Sequence, residues 1–197
     1  LNQKRPQSPF RAAGFGLAIT LALVWWPVGA VSAKVFASQQ QALAEAFPDA
    51  SRIERRTHLI QEKEAEEIAA ITHAELDSKV VVIHTAYQEA ELLGYAHIDV
   101  HNVRTKPEAV LIVLKPDGSV RSVRMLAFYE PLDYLPTGRW YDQFVGKSGI
   151  DDFRVGGDIH GVVGATLSAR AAADGVRRML AYWQVLLRPA EVETQAP

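Results

Sequence analysis

Ala109-Val-Leu-Ile-Val-Leu-Lys-Pro-Asp-Gly-Ser-Val-Arg-Ser-Val-Arg-Met-Leu-Ala-Phe128 decides the fold of this chain. Residues 109–114 are apolar without a break, the pattern of a buried strand. Pro116-Asp117-Gly118 is a tight turn, because proline presets one backbone angle and glycine takes the position that side chains avoid. Ser119–Phe128 returns as the antiparallel partner of 109–114.

Upstream, Gly94–Val103 alternates, with Tyr95, His97, Asp99 and His101 on one face and Ala96, Ile98 and Val100 on the other. Lys79–His84 is an apolar strand, and Arg52–Ile60 reads as another. Gln61–Glu75 is a helix with Ile68 and Ile71 inward and Glu62, Glu64, Glu66 and Glu67 in water. Ser38–Phe47 is a short helix with Ser38 as its N-cap, stopped at Pro48-Asp49. Downstream, Tyr129–Pro136 is too rich in proline for regular structure. Gly138–Val145 is a short helix carrying Trp140, Tyr141 and Phe144, and Ser148–Gly161 is a glycine-rich loop. The last helix, Leu167–Leu187, has Ala172, Val176, Met179, Leu180, Trp183 and Leu187 as its core stripe. Together these predict an α+β fold, an antiparallel sheet packed against helices.

The 197 residues are enough for one domain with appendages. A net charge of -2 gives no basic stripe for nucleic acid. The absence of cysteine excludes disulfides, thiolate catalysis and cysteine-held metal clusters. Ala12–Ala33 has no charged residue over 22 positions and follows Lys4, Arg5 and Arg11. As a helix it spans the roughly 30 Å hydrocarbon layer. The positive flank keeps residues 1–11 in the cytoplasm, and Trp25 and Trp26 suit the far interface. Val31-Ser-Ala33 also fits a signal-peptide cleavage site. We favour a retained single-pass anchor in the inner (cytoplasmic) membrane. The expected organisation is then a helical lead-in at 34–75, a main domain at 76–188 and a disordered tail at 189–197, all on the periplasmic side.

His97, Asp99 and His101 could converge on zinc or iron, but they read first as surface or interface residues of a half-exposed strand, and no metal site is expected. Gly161-Val-Val-Gly-Ala-Thr-Leu-Ser168 is more specific, because it stands directly before the last helix. Gly164 permits a tight turn and close approach of a ligand. Thr166 offers a hydroxyl that can be esterified, and the free N–H groups of a first helical turn suit a phosphate. The same residues also fit a plain helix start capped by Thr166 or Ser168.

Gly164-Ala165-Thr166-Leu167-Ser168 resembles the end of the site of the FMN-binding domain family. That family occurs in the C subunit of sodium-pumping NADH:quinone reductase, the G subunit of Rnf complexes and the periplasmic part of the nitrous-oxide-reductase regulator. Glu130-Pro131, Tyr134-Leu-Pro136, Trp140 and Phe144-Val-Gly-Lys147 look like the segment that covers the flavin there. The 110–123 strand pair and Ala42–Pro48 are similar to earlier parts of the domain, so the likeness covers roughly residues 42–187.

The resemblance implies FMN as cofactor, joined to Thr166 through a phosphodiester made by a flavin transferase. It implies Gly164, Ala165 and Ser168 beside the phosphate and Tyr134, Leu135 and Trp140 as walls for the ring. Glu130 and Lys147 would be its polar contacts. It further implies electron transfer as a flavoprotein subunit of a membrane redox complex, with the lipid bilayer and other subunits as partners and no catalytic acid or base. The family's motif serine and aspartate are Val163 and His160 here. Covalent FMN, non-covalent FMN and a structural or assembly subunit that has lost its flavin all stay open.

Overall fold

The computed structural model describes residues 34–149, 151 and 153–188. The proposed anchor at 12–33 and tail at 189–197 lie outside the described residues. Among the described residues, no helix is long and apolar enough to cross a membrane.

The fold is α+β. Six antiparallel strands form one sheet: β1 (Lys34–Val35), β2 (Arg52–Leu59), β3 (Val80–Gln88), β4 (Glu91–Val103), β5 (Lys106–Leu114) and β6 (Val120–Phe128). Their order is β1-β6-β5-β4-β3-β2, so β2 to β6 follow the chain as neighbours. The turn at Pro116–Gly118 joins β5 and β6 as the sequence predicts, with Ile112 opposite Val123.

β5 explains its unbroken apolar run. Val110, Ile112 and Leu114 enter one core, and Leu111 and Val113 enter a second on the opposite face. The smaller core is closed by α1 (Gln39–Ala46) through Ala42, Leu43 and Phe47. Ser38 caps α1, its hydroxyl accepting the Gln41 N–H at 3.2 Å. The larger core is closed by α2 (Glu62–Thr72) through Ile68 and by α3 (Thr166–Tyr182) through Ala169, Ala172, Val176, Met179 and Leu180. A capping box of Gln61 and Glu64 starts α2.

Some expectations change in detail. The last helix is α-helical only to Tyr182; a π turn, Trp183–Leu187, completes it. Trp183 is half-buried rather than enclosed, because its ring packs over the Gly118 turn at the rim of the sheet. Residues 129–136 contain a short 3-10 turn, Leu132–Tyr134, and the next helix, Gly138–Phe144, is also 3-10. The two-residue edge strand β1 has no sequence signal of its own.

Candidate functional site

A cleft of about 150 Å³ opens at the N-terminus of α3. Val103, Arg104, Glu130, Tyr134 and residues 164–168 line it. Three separate pieces of chain thus meet: the β4–β5 turn, the segment after β6, and the Gly-Ala-Thr stretch. Of the sequence-predicted site residues, Gly164, Ala165, Thr166, Ser168, Glu130 and Tyr134 come together here.

Gly164 has φ +84, a conformation that a side chain strains, and the space where its Cβ would stand is empty. It turns the chain into α3 and leaves the backbone bare towards the cleft. Ala165 occupies the N-cap position, and no side chain caps the helix. Neither Thr166 nor Ser168 caps it, although Gly164 does make the turn into the helix. The first N–H groups of any helix have no intrahelical partner. In α3, a helix of 17 residues, they face the cleft mouth with the positive end of the helix dipole. Thr166 is exposed and Ser168 is buried. Only the threonine hydroxyl is open to a modifying enzyme.

Arg104 is the site residue that the sequence did not reveal. It occupies the two-residue turn between Val103 and Lys106 with φ 54, a left-handed conformation that costs a non-glycine residue roughly 1–2 kcal/mol. Its guanidinium lies 5.4 Å from the centre of the Tyr134 ring. The cleft therefore has a cation on one wall and a helix N-terminus on another. Glu130 supplies the third polar feature, because its Oε1 is buried without a hydrogen-bond partner.

Three expected contacts lie elsewhere. Trp140 is buried in the larger core, edge-on to Tyr141 and Phe144, and donates its indole N–H to the His160 carbonyl at 2.6 Å. Gln143 accepts the His160 N–H at 2.7 Å. Trp140 thus fixes the loop that delivers Gly164 and forms no wall of the cleft. Leu135 packs against the same core. Lys147 sits beside Val120, at the start of β6, whereas Glu130 follows its end. Eight strand steps separate those ends by about 25 Å. At the two departures from the family motif, Val163 and His160 are both solvent-exposed.

The charged face of β4 forms a different structure. His101 meets Asp99 Oδ2 through Nδ1 at 2.6 Å and Glu108 Oε1 through Nε2 at 2.7 Å. Arg178 of α3 donates to both Asp99 oxygens, at 3.0 and 2.7 Å. Burial disfavours the His101 charge, but the hydrogen bonds to both carboxylates prevail and raise its pKa to about 9. Burial likewise opposes the Asp99 charge, and the bonds from His101 and Arg178 outweigh it, holding that carboxyl well below the usual range. His97 stands apart: burial lowers its pKa, and Nδ1 meets the Val82 carbonyl at 2.9 Å. Among the described residues no cluster suits a metal ion. The Asp99 oxygens are already taken, which removes the carboxylate from the zinc or iron donor set.

No family model and no curated protein matches the chain.

Proposed function

We propose that the chain is a membrane-anchored, periplasmic electron-transfer subunit that binds FMN in the cleft at the start of α3. The observation that carries this reading is the uncapped α3 N-terminus facing, with Arg104, the cleft that also holds Glu130 and Tyr134. The chemistry fits the group. A phosphate would take the free N–H groups of the first turn and the Arg104 charge. Tyr134 offers an aromatic face, and Glu130 Oε1 is a buried acceptor awaiting a ring N–H.

Bound FMN would supply one- and two-electron redox chemistry. The residues would bind, orient and shield it, and tune its potential by burial and hydrogen bonding. Thr166 is the acceptor for a covalent link because it is exposed at the first helical position. Anchoring through residues 12–33, a flavin transferase and neighbouring redox subunits belong to the same proposal.

The test is peptide mass spectrometry on protein made in cells with an active flavin transferase. An FMN adduct between Arg154 and Arg170, lost in Thr166→Ala, is expected. An unmodified peptide from a yellow protein would reduce the proposal to non-covalent FMN. An unmodified peptide from a colourless protein would leave a structural or assembly subunit.

A further inference from the structure

The eight residues of α1 close the smaller core over Leu111 and Val113 of β5. One step along that face, strand pairing lines up another apolar row. Val35 of β1 stands opposite Ala127 of β6, Ala127 opposite Ala109 of β5, and Ala109 opposite Val100 of β4. Val80 of β3 and Leu59 of β2 continue it as a register pair, and Val80 and Val100 border the same opening between β3 and β4. Leu59 is 67% exposed, Val100 66%, Val35 62% and Val80 53%. Apolar side chains left in water across a whole sheet mark a contact surface.

The surroundings of the row suit a lipid bilayer. Lys34, the first residue of β1, directly follows the uncharged run 12–33, so one end of the row adjoins that run in sequence. Lys34 and Lys106 are exposed beside the row. The Lys34 ammonium lies 5.1 Å from the ring centre of Phe36, which is itself exposed. Lysines and an aromatic ring flanking apolar side chains fit the headgroup level, where the lysines meet anionic lipid. A second copy of the chain fits less well. Six strands make the row about 24 Å long and one side chain wide, roughly 200 Å². A stable dimer buries roughly 800 Å² on each partner.

We propose that this row is a membrane-docking face, lying in the headgroup region of the bilayer with Lys34 and Lys106 on anionic lipid. This rests on the anchored reading of residues 12–33. Docking has a consequence for the ligand cleft. Val103, which lines it, follows Val100 by three residues, about 10 Å along β4. The docked face therefore holds that wall of the cleft beside the membrane rather than out in solvent.

The chain has no cysteine, so single cysteines can be introduced and labelled with a polarity-sensitive fluorophore. The full chain is reconstituted in vesicles of phosphatidylglycerol and phosphatidylcholine, with lipids spin-labelled at shallow and deep positions as quenchers. Probes at Val100→Cys and Leu59→Cys are expected to shift to the blue and to be quenched by the shallow label. A probe at Glu66→Cys, on the helix that covers the opposite face, is expected to stay in water. Val80→Asp should abolish the quenching at Val100, and Lys34→Gln with Lys106→Gln should remove its dependence on phosphatidylglycerol. Probes at Val100 and Leu59 quenched no more than at Glu66 would overturn the proposal. So would disulfide-linked Val100→Cys pairs without lipid quenching, which would give the face to a second copy. Alkaline extraction tests the anchor separately. A chain that washes off ends the anchored reading, and the same probes on chain added to the vesicles from outside then decide the docking face by the same two outcomes.

Discussion

At the first turn of α3, backbone donors that no side chain caps face an open cleft, with Arg104 resting on the Tyr134 ring at its wall. About three turns later the same helix presents Arg178 to Asp99, and that carboxylate is filled from two sides with its side chain 7% exposed. Both regions join α3 to the sheet, and both hold charge. They differ in what completes them. The inner cluster is closed by its own residues, so its loss should be felt in stability. The cleft is open, so its loss should be felt in binding.

The strongest way to break this contrast is Asp99→Ala. It leaves Arg178 and protonated His101 buried without a counter-charge, and about 3–5 kcal/mol of stability should be lost. A loss under about 1 kcal/mol, measured by denaturant unfolding, would show that the cluster does not lock α3 to the sheet.

Gly175→Ala should follow. Alanine normally favours a helix interior over glycine by about 1 kcal/mol. Here the added Cβ would stand 2.8 Å from Asp99 Oδ2, so the sign reverses and about 1–3 kcal/mol should be lost. A gain in melting temperature would mean that β4 and α3 lie further apart than described.

A smaller, reversible effect comes from pH. The folded-state pKa of His101 is raised, so its contribution is full below its ordinary pKa of 6.5 and is lost as pH rises through about 9. Stability should fall across that window as the imidazole loses its proton between two carboxylates. His101→Gln should flatten that part of the profile. An equally steep decline in the variant would assign the effect to another group.

Thr166→Ala should do least to the fold. The hydroxyl is exposed and caps nothing, so unfolding should shift by less than about 0.5 kcal/mol. A larger loss would turn the cleft residue into a structural one and erase the contrast.

The sheet was legible because its signals are local. Alternation in 94–103 sorted the two faces of β4, the Pro-Asp-Gly turn fixed one hairpin, and the apolar run of β5 marked a buried strand, which the structure covers on both sides. The α3 end of the cleft was legible for the same reason, since Gly164 to Ser168 are contiguous. Arg104 was not. Hairpin turns are recognised by glycine, asparagine or aspartate, and Arg104-Thr105 has none of them. The turn was also hidden because β5 begins at Lys106, three residues before the apolar run at Ala109. Trp140 and Lys147 were placed by resemblance along the chain. Packing directs the first into the core beneath His160, and strand length carries the second to the other end of β6. The closure of His101 between Asp99 and Glu108 needed the β4–β5 register, which composition does not encode.

The most direct test of the account is the visible spectrum of the full chain, purified from membranes of cells that contain a flavin transferase and reconstituted with FMN. The account predicts flavin absorption in the wild-type protein. It predicts loss of that absorption in Arg104→Ala, with the unfolding transition kept, because the guanidinium lines the cleft and pairs with no carboxylate among the described residues. A colourless wild type that takes up no FMN, or an Arg104→Ala protein as yellow as wild type, would contradict it.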